Sequence, residues 1–299
     1  AMWQSMSWKD ALPAVEVLEG SITAPEAWDS DERLDGLQGI FHLAALVRHG
    51  RQDADEVYRT NIDGAKAMVR VAANHGGRVV FVSTSGTVGC FEDVDAWADE
   101  DSPYCRDKVR GWPYYNSKIT AEVQTRALAQ ELATELVFIR PPVLLGPGDH
   151  RFRSTGHIIR FLRRKLPFLI KGGIHYVDVR DASQAIVRAM THPDPKPAYH
   201  LPGTSCGIAT FFDTVHELSG VQPPKLFLPY GPAWLLATVL RTTGVLPDPV
   251  VIEMAASYWG LRSKYAGDDL DFDPRPGRQT LKDTIAWLRE HHPDLNDAA

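Results

Sequence analysis

The chain has 299 residues, of which 44% are hydrophobic and 23% are charged. This ordinary globular composition excludes a mostly disordered chain, a collagen-like repeat and a coiled coil, and a chain of this length buries a core without disulfide or metal staples. The formal net charge of −6 argues against nucleic acid as the main partner, because phosphate binding needs a basic face.

The sequence carries few signals that assign the protein to a cellular compartment. The three cysteines, Cys90, Cys105 and Cys206, are widely spaced and form no CxxC pair. This pattern predicts free thiols in a reducing compartment and no metal site. The N-terminal stretch lacks the basic and apolar regions of a signal peptide, and no run reaches the roughly 18 apolar residues of a membrane-spanning helix. We therefore predict a cytoplasmic protein without an integral membrane span.

The first two-thirds of the chain alternates short β-rich runs with helical patterns. The predicted elements are, in chain order, a strand over 15–19, a strand over 39–43, a helix over 61–74, a strand over 78–83, a helix over 115–135 and a strand over 136–140. The run over 78–83 is nearly all apolar, which is typical of a buried parallel strand. This alternation predicts βαβ units, and hence an α/β fold with a doubly wound parallel sheet.

The pattern changes after Gly146. Prolines become frequent there, and predicted helices over 211–219 and 280–291 lie between irregular segments. This change predicts a smaller C-terminal substrate-binding region that packs on the sheet. The predicted boundaries are 1–146 plus 174–203 for the core and 147–173 plus 204–299 for the substrate-binding region.

Three features have more than one interpretation. The apolar segment 232–246 is either a buried or lid helix, or a helix that lies on a membrane or forms an apolar substrate entrance. The four basic residues between 160 and 165 form either a solvated helix face or a clamp for a phosphate or carboxylate. His42 ends a predicted buried strand, where it is either a core residue whose polar atoms are satisfied, which we expect, or a catalyst.

The clearest chemical signal is a tyrosine and a lysine four residues apart. Tyr114 and Lys118 fall on one helical face at this spacing. A phenol with a pKa of about 10 is a poor acid or base at neutral pH, but a nearby ammonium favours the phenolate and lowers that pKa. The pair is therefore predicted to act as a general acid/base toward a carbonyl or an alcohol. The same spacing also arises by chance on helix surfaces, so the surrounding segments decide its meaning.

Those segments occur in a characteristic order. They are Phe41-His42-Leu43-Ala44-Ala45, Tyr58-Arg59-Thr60-Asn61, Val82-Ser83-Thr84-Ser85-Gly86, the Tyr114 and Lys118 pair, Arg140-Pro141-Pro142-Val143 and Tyr176-Val177-Asp178-Val179. Together they resemble the extended short-chain dehydrogenase/reductase family, which includes nucleotide-sugar epimerases, dihydroflavonol-reductase-like enzymes and 3β-hydroxysteroid dehydrogenases. The resemblance runs from about Val15 to the C-terminal helix.

The resemblance implies a Rossmann-type fold that binds NAD or NADP, and hydride transfer at a carbon whose oxygen Tyr114 protonates or deprotonates. Lys118 would lower the pKa of Tyr114 and hold the nicotinamide ribose. Ser85 matches the family's catalytic hydroxyl, with Thr84 as the alternative if the alignment shifts by one residue. Asn61 would fix the tyrosine helix beside the active site.

The resemblance also implies which residues contact the ligands. The residues expected to line the cofactor are Leu43, Ala44, Ala45, Ser83, Tyr114, Lys118, Pro141, Pro142 and Val143. The residues expected to contact the substrate are Ser85, Gly86, Thr87, Thr155 and Tyr176. The expected partner is a small-molecule substrate, and because members of the family are often dimers, analogy predicts a homodimer.

The glycine-rich turn that receives the pyrophosphate in this family is absent from the sequence, because its 23 glycines form neither GxGxxG nor GxxGxxG. Residues 15–19 match the family's third strand, so the sheet is expected to be N-terminally incomplete and to lack the first βαβ unit. Three explanations stay open. The native protein has a further N-terminal segment, or it is a natural truncated member without the usual dinucleotide site, or another chain supplies cofactor-binding parts.

The favoured activity is an NAD(P)-dependent oxidoreductase that interconverts an alcohol and a carbonyl on a small, lipid-like or aromatic substrate. The apolar segment 232–246 favours such a substrate, as does the similarity of residues 154–167 to dihydroflavonol-reductase-like enzymes. A nucleotide-sugar epimerase or dehydratase is the second hypothesis, and a non-catalytic binding protein that kept the scaffold is the third. The basic residues that the second would use for a diphosphate are Arg160, Arg241, Arg262 and Arg275.

Overall fold

Strands and helices alternate through residues 16–243 and 245–296, the part of the chain that this computed structural model describes. The strands there are β1 (Gly39–His42), β2 (Arg78–Val82), β3 (Cys90–Phe91), β4 (Leu136–Arg140), β5 (Val143–Leu145), β6 (Gly173–Asp178), β7 (Ala198–His200), β8 (Thr204–Gly207) and β9 (Tyr258–Trp259). The α-helices there are α1 (Ala54–Tyr58), α2 (Gly64–His75), α3 (Arg106–Val109), α4 (Pro113–Glu131), α5 (Gly156–Leu162), α6 (Val179–Thr191), α7 (Ile208–Ser219), α8 (Tyr230–Val239), α9 (Pro249–Ala255), α10 (Ala266–Leu270) and α11 (Gly277–His291).

Four strands form the main sheet, in the spatial order β1, β2, β4 and β7. All three neighbouring pairs are parallel, and Val80 of β2 lies between Phe41 of β1 and Val137 of β4. Parallel neighbours require crossover connections, and helices supply them here. The carboxyl ends of the four strands therefore meet at one edge of the sheet.

Helices cover both faces of this sheet. Val79 and Phe81 of β2 pack with Ala65 of α2 on one face, whereas Val80 packs with Ala185 of α6 on the other. Alternate side chains of a strand point to opposite faces, so an apolar run of this kind is buried on both sides. The predicted α/β fold with a parallel, doubly covered sheet is confirmed.

A second, three-stranded sheet is formed by β5, β6 and β8, with β8 antiparallel to β6. It shares a core with α5, α7 and α11 that includes Phe161 and Phe211. Both β5 and β6 fall largely inside the predicted core domain, yet they pair in this second sheet. The predicted boundaries therefore do not coincide with sheet membership, because the chain enters the second sheet directly after Pro142 and returns to the main sheet through α6 and β7.

The predicted strand over 15–19 is wrong for its described residues, since residues 16–19 form no strand. Val17 is 42% exposed, and its carbonyl accepts a hydrogen bond from the side chain of Arg33. A strand is held by a hydrogen-bonded neighbour, and within residues 16–243 and 245–296 no strand pairs with the outer edge of β1. Val15 lies outside the described residues.

All four predicted helices differ from the structure at one or both ends. The helices predicted over 211–219 and 280–291 begin three residues earlier than predicted, at Ile208 and Gly277. The helix predicted over 61–74 is preceded by α1, and a π-helical turn at Arg59–Asp63 joins α1 to α2. The tyrosine helix α4 begins at Pro113, because the first helical position needs no N–H donor. It ends at Glu131, four residues before the predicted end, and Ala133 just beyond it has the left-handed φ of 53°, which no α-helix continues.

Helix α8 occupies much of the apolar segment 232–246. Its Ala233 and Ala237 are buried, whereas Leu235 and Val239 are 59% and 68% exposed. The prediction of a buried helix is therefore wrong for α8, whereas a lid helix, a helix that lies on a membrane and an apolar substrate entrance each agree with this exposure. No helix in the described part of the chain is long and apolar enough to cross a membrane.

Gly172→Ala should lower the free energy of unfolding by about 1–3 kcal/mol, the usual cost of overpacking. Gly172 directly precedes β6, and a Cβ there would overlap the backbone carbonyl oxygen of Ala255. Urea unfolding of the variant measures the loss. Gly267→Ala in α10 is the matched control, because its Cβ meets nothing within 4 Å and alanine favours a helix. Equal destabilisation by the two variants would contradict this account.

Candidate active site

The first candidate residues follow the carboxyl ends of β2 and β4, which lie side by side. The N–H of Ser83 donates to the carbonyl of Ile139 (2.7 Å), and the N–H of Ser85 donates to the carbonyl of Pro141 (2.8 Å). Ser85–Thr87 then form a short 3-10 turn. These contacts place the turn and the two-proline segment at the edge of the sheet where ligands of doubly wound folds bind.

The hydroxyl groups of this turn differ in their hydrogen bonds. Ser83 Oγ donates to Glu122 Oε1 (2.5 Å), and Thr87 Oγ1 donates to the carbonyl of Thr84 (2.9 Å). Thr84 Oγ1 itself accepts from the backbone N–H two residues later (3.3 Å). The Ser85 hydroxyl makes no hydrogen bond to any residue that the structure describes. Ser83 and Thr87 therefore have committed O–H donors, whereas the O–H donors of Ser85 and Thr84 remain available to a substrate oxygen, and only Ser85 Oγ makes no hydrogen bond at all among the described residues.

Lys118 is buried against the end of β2, with only 1% of its surface exposed. Its Nζ donates to the carbonyl of Val82 (2.8 Å) and lies 4.2 Å from the centre of the Phe81 ring. Burial lowers the pKa of Lys118 to about 7, and the Glu122 carboxylate partly opposes this shift. The bond to Val82 occupies one of the three N–H donors of an ammonium group, so donors remain for a ligand.

The phenol of Tyr114 lies among aromatic rings, one helical turn before Lys118. Its ring packs edge-on against His49 (5.8 Å between ring centres) and against Tyr115 (5.2 Å). Burial raises the pKa of Tyr114 to about 12. The predicted lowering of this pKa by Lys118 is therefore wrong for the structure, in which the ammonium is directed to the carbonyl of Val82.

Asn61 joins the segment after β1 to the tyrosine helix. Its Oδ1 accepts from the N–H of Leu46 (2.7 Å), and its Nδ2 donates to the carbonyl of Leu46 (3.2 Å) and to Ser117 Oγ (2.9 Å). Ser117 Oγ donates in turn to the carbonyl of Tyr114 (2.7 Å). The π-helical turn places Asn61 here, and these contacts fit the expected role of holding the tyrosine helix.

A buried ion pair beside Ser83 is a feature that no motif indicated. Arg140 Nη2 donates to Glu122 Oε2 (2.5 Å), and neither side chain is more than 4% exposed. Tyr104 Oη also donates to this carboxylate (3.0 Å). Burial alone would raise the pKa of Glu122, but Arg140, Ser83 and Tyr104 together hold it below its usual value. The one sequence signal that points to Glu122 is its position four residues after Lys118, which places both side chains on the same helical face.

A second carboxylate, at Glu253, joins three separate segments at the start of the tyrosine helix. Its Oε2 accepts from Trp112 Nε1 (2.8 Å), and its Oε1 accepts from Trp234 Nε1 of α8 (2.9 Å). Arg51 Nη2 is a third donor, at 2.8 Å from Oε2. Because Trp112 directly precedes α4, one side chain connects α8 to the helix that carries Tyr114. No spacing rule relates these positions in the sequence.

The segment after β1 is the most open of the predicted cofactor segments. Leu43 is 63% exposed, Ala44 is exposed and Ala45 is half-buried. His42 is buried, and its Nε2 has no hydrogen-bond partner among the described residues. Burial lowers the pKa of His42 to about 3, and Lys118 adds to the shift. The prediction that the polar atoms of His42 are satisfied is therefore wrong.

Other predicted residues lie at the same edge of the sheet. A Cβ at Gly86 would overlap the Tyr115 ring, so the turn requires a glycine for this close approach. Pro141 and Pro142 are buried where the chain passes from β4 to β5, and Val143 is the first residue of β5.

Two predicted substrate residues are not brought to this cluster. Thr155 is buried just before α5, and its hydroxyl donates to Asp149 Oδ2 (3.0 Å). Tyr176 is buried in the core of the second sheet, where its ring lies 5.5 Å from that of Phe211. Both side chains therefore serve the packing of the C-terminal region in this structure.

The fold and these side chains define a class of protein. It is an α/β protein of the dehydrogenase type, with a hydroxyl, a tyrosine and a buried lysine near the carboxyl edge of a parallel sheet. More narrowly, the chain belongs to the NAD dependent epimerase/dehydratase family, whose sequence model matches residues 4–201.

Similar proteins include reductases and sterol-related proteins. The chain is 29% identical over 278 residues to a Synechocystis protein provisionally named dihydroflavonol 4-reductase, covering 88% of this chain and 79% of that protein. It is 24% identical over 279 residues to sterol demethylase protein B of Methylococcus capsulatus, covering 87% and 81%. The crystal structure of dTDP-glucose 4,6-dehydratase from Bacillus anthracis in complex with NAD superposes on this chain with a TM-score of 0.76 at 16% sequence identity. The superposition covers 100% of this chain and 87% of the dehydratase chain, which shows a shared fold.

The residues present fit one half of the family's dinucleotide cofactor. The ammonium of Lys118 keeps donors for a ribose diol, and the exposed side chain of Leu43 offers an apolar contact at the end of β1. For the diphosphate half, the described residues hold no glycine-rich turn between a strand and a helix. The residues that would hold the nicotinamide and its ribose are Lys118, Tyr114 and the segment after β4.

Stability should rise with pH above neutrality because of Lys118. Its pKa is about 7 in the folded protein and 10.5 ordinarily, so the unfolded chain binds more protons between these values. The free energy of unfolding should therefore increase over this range, by at most about 1.4 kcal/mol per pH unit. Urea unfolding at several pH values, compared with Lys118→Met, isolates the effect. A difference between the two proteins that does not change with pH would contradict the assignment.

Glu122→Gln should lower the free energy of unfolding by about 3–5 kcal/mol, because Arg140 is left as an uncompensated buried charge. The folded pKa of Glu122 lies below its ordinary value. The stability that it provides is therefore present above the ordinary carboxyl pKa and is lost as the pH falls through the folded pKa. Urea unfolding at neutral and acidic pH measures both effects. The double variant Glu122→Gln, Arg140→Met should recover part of the loss, and failure to recover any would argue against the pair.

Proposed function

We propose that the protein interconverts an alcohol and a carbonyl on a small apolar or aromatic substrate, with Tyr114 as the proton donor and acceptor. The observation that carries this proposal is the contrast among the hydroxyls after β2. The protein uses the O–H donors of Ser83 and Thr87 for its own hydrogen bonds and the Thr84 oxygen as an acceptor, and it leaves the Ser85 hydroxyl without any hydrogen bond to the described residues. A hydroxyl available at the ligand edge of the sheet is suited to bind a substrate oxygen.

Bound NAD or NADP supplies or accepts the hydride of this reaction. In the reducing direction, the O–H bond of Tyr114 breaks and a new O–H bond forms on the substrate oxygen. Burial raises the pKa of Tyr114 to about 12, so the phenol carries its proton at neutral pH, and it is a weaker acid than a free phenol. Ser85 donates a hydrogen bond to the same oxygen, and Lys118, whose pKa burial lowers to about 7, keeps N–H donors for a ligand at the end of β2.

The surroundings of Tyr114 support an apolar or aromatic substrate. Tyr115, Trp112 and Trp259 pack with one another beside it, at 5.4–6.2 Å between ring centres. The names of the relatives, a dihydroflavonol 4-reductase and a sterol demethylase protein, support the same substrate class.

Three of the four basic residues considered for a nucleotide sugar, all but Arg241, are engaged elsewhere, which makes that alternative less favoured. Arg275 pairs with Asp181 (2.7 Å), and Arg160 donates to the carbonyl of Val245 (2.6 Å). The guanidinium of Arg262 lies 5.1 Å from the centre of the Trp97 ring.

Turnover of a substrate panel tests the proposal. With NADH or NADPH, a flavonoid or steroid ketone should be reduced, and Tyr114→Phe should lower kcat by about 10²- to 10⁴-fold because the proton donor is lost. Tyr265→Phe removes a phenolic hydroxyl on the far side of the sheet and should leave turnover unchanged. Circular dichroism checks that both variants are folded.

Three results would overturn the proposal. Full activity of Tyr114→Phe would exclude the assigned proton donor. Conversion of UDP-glucose, with no action on the ketones, would favour the epimerase or dehydratase hypothesis. Absence of both turnover and any thermal shift with NAD or NADP would favour the non-catalytic binding protein, since a ligand that binds the folded state raises its stability.

A further inference from the structure

Exposed apolar side chains are concentrated in one segment outside the candidate active site. Of the fifteen large hydrophobic residues that are exposed in the described part of the chain, seven lie between 226 and 245. Single exposed hydrophobic residues are ordinary, but a cluster of this kind marks an interaction site. We call this cluster the apolar surface. Its residues are Leu226, Phe227, Tyr230, Leu235, Leu236, Val239 and Val245, with 40–68% of each exposed.

Helix α8, at the centre of the apolar surface, has no charged residue on any face. Ala233 and Ala237 pack inward against Phe168. Leu235 and Val239 are four residues apart and share the outward face. The outer face of a surface helix is normally charged or polar. A helix that packs one apolar side on the protein core and exposes another is suited to bind an apolar partner on its outer side.

A segment with only basic charges borders the apolar surface. Residues 160–171 contain five lysines and arginines and no acidic residue. Residues 222–247 contain two basic residues and no acidic residue, although the net charge of the whole chain is −6. Arg160 Nη2 donates to the carbonyl of Val245 (2.6 Å), and Leu169 forms backbone hydrogen bonds with Leu226 and Leu228 (3.0 and 2.9 Å). Both ends of the basic segment therefore touch the apolar surface.

The basic side chains beside the apolar surface differ in their exposure and in whether they form an ion pair. Lys165, Lys171 and Lys225 are exposed. Arg163 is also exposed, but it is paired with Asp294 (2.9 Å). The apolar surface is thus flanked by exposed ammonium groups on two segments of the chain.

We propose that the apolar surface binds the face of an anionic lipid bilayer. The exposed side chains of α8 enter the boundary between headgroups and acyl chains, and the flanking lysines contact lipid phosphates. The charge distribution favours this occupant over a second copy of the chain, because a symmetric dimer through this surface would bring its basic borders together. The surface carries this proposal by itself, and it does not depend on the proposed function.

The apolar surface lies close to the candidate active site, so docking on a bilayer would bring that site near the lipid. Trp234 of α8 and Trp112 before α4 donate to the same carboxylate, that of Glu253. The start of the tyrosine helix therefore lies beside the docked face. An apolar ligand held in a bilayer would enter the site from this side.

Co-sedimentation of the full chain with lipid vesicles tests the proposal. The probes are vesicles of phosphatidylcholine alone and of phosphatidylcholine with phosphatidylglycerol. The protein should bind the anionic vesicles, and added salt should weaken this binding because it screens the charges. Leu235→Glu, Val239→Glu should lower the partition coefficient by about tenfold or more, as should Lys165→Glu, Lys225→Glu.

Val187→Glu is the matched control, because Val187 is 54% exposed on α6, which packs on the main sheet. It should bind vesicles as the unmodified protein does, and circular dichroism checks the fold of every variant. No binding to anionic vesicles would overturn the proposal, as would equal binding to neutral vesicles. Analytical sedimentation tests the other candidate occupant of the apolar surface, a second copy of the chain. A dimer that Leu235→Glu, Val239→Glu dissociates, together with no vesicle binding, would assign the surface to self-association.

Discussion

The buried carboxylate of Glu122 is the group on which the arrangement of the site depends. It accepts hydrogen bonds from Ser83 at the end of β2 and from Arg140 at the end of β4, and it lies on the helix that carries Lys118. A buried charge that loses its partner is costly, so the two strands and the helix cannot shift independently. The position of the 83–87 turn, and with it the hydroxyl of Ser85, follows from this constraint.

Much of the fold could be predicted from sequence periodicity and composition. The predicted strands over 78–83 and 136–140 agree with the structure to within one residue, because strands buried on both faces are short continuous apolar runs with clear ends. The predicted strand over 15–19 failed for a different reason. Its residues suit a strand, but pairing is a property of neighbours, and the described residues offer no strand beside them.

The candidate site was only partly predictable. The order of the motifs indicated which side chains belong to the carboxyl edge of the sheet, and Ser85, Asn61 and Lys118 lie there. Spacing along a helix determines which face a residue occupies but not where a long side chain ends, so the direction of Lys118 toward Val82 was not foreseen. Motif similarity alone predicts Thr155 and Tyr176 as substrate residues, because it places residues along the chain and says nothing of the core in which their side chains pack.

The carboxylate of Glu253 has a consequence for how this protein tolerates change. Its two oxygens accept from two indole groups that belong to different helical segments. Loss of the carboxylate would leave both N–H groups without an acceptor, whereas loss of one indole would spare the other bond. Substitutions at Trp112, Trp234 and Glu253 should therefore be strongly non-additive. In evolutionary terms the three positions form one epistatic unit, so a change at any one of them restricts which residues the other two can accept.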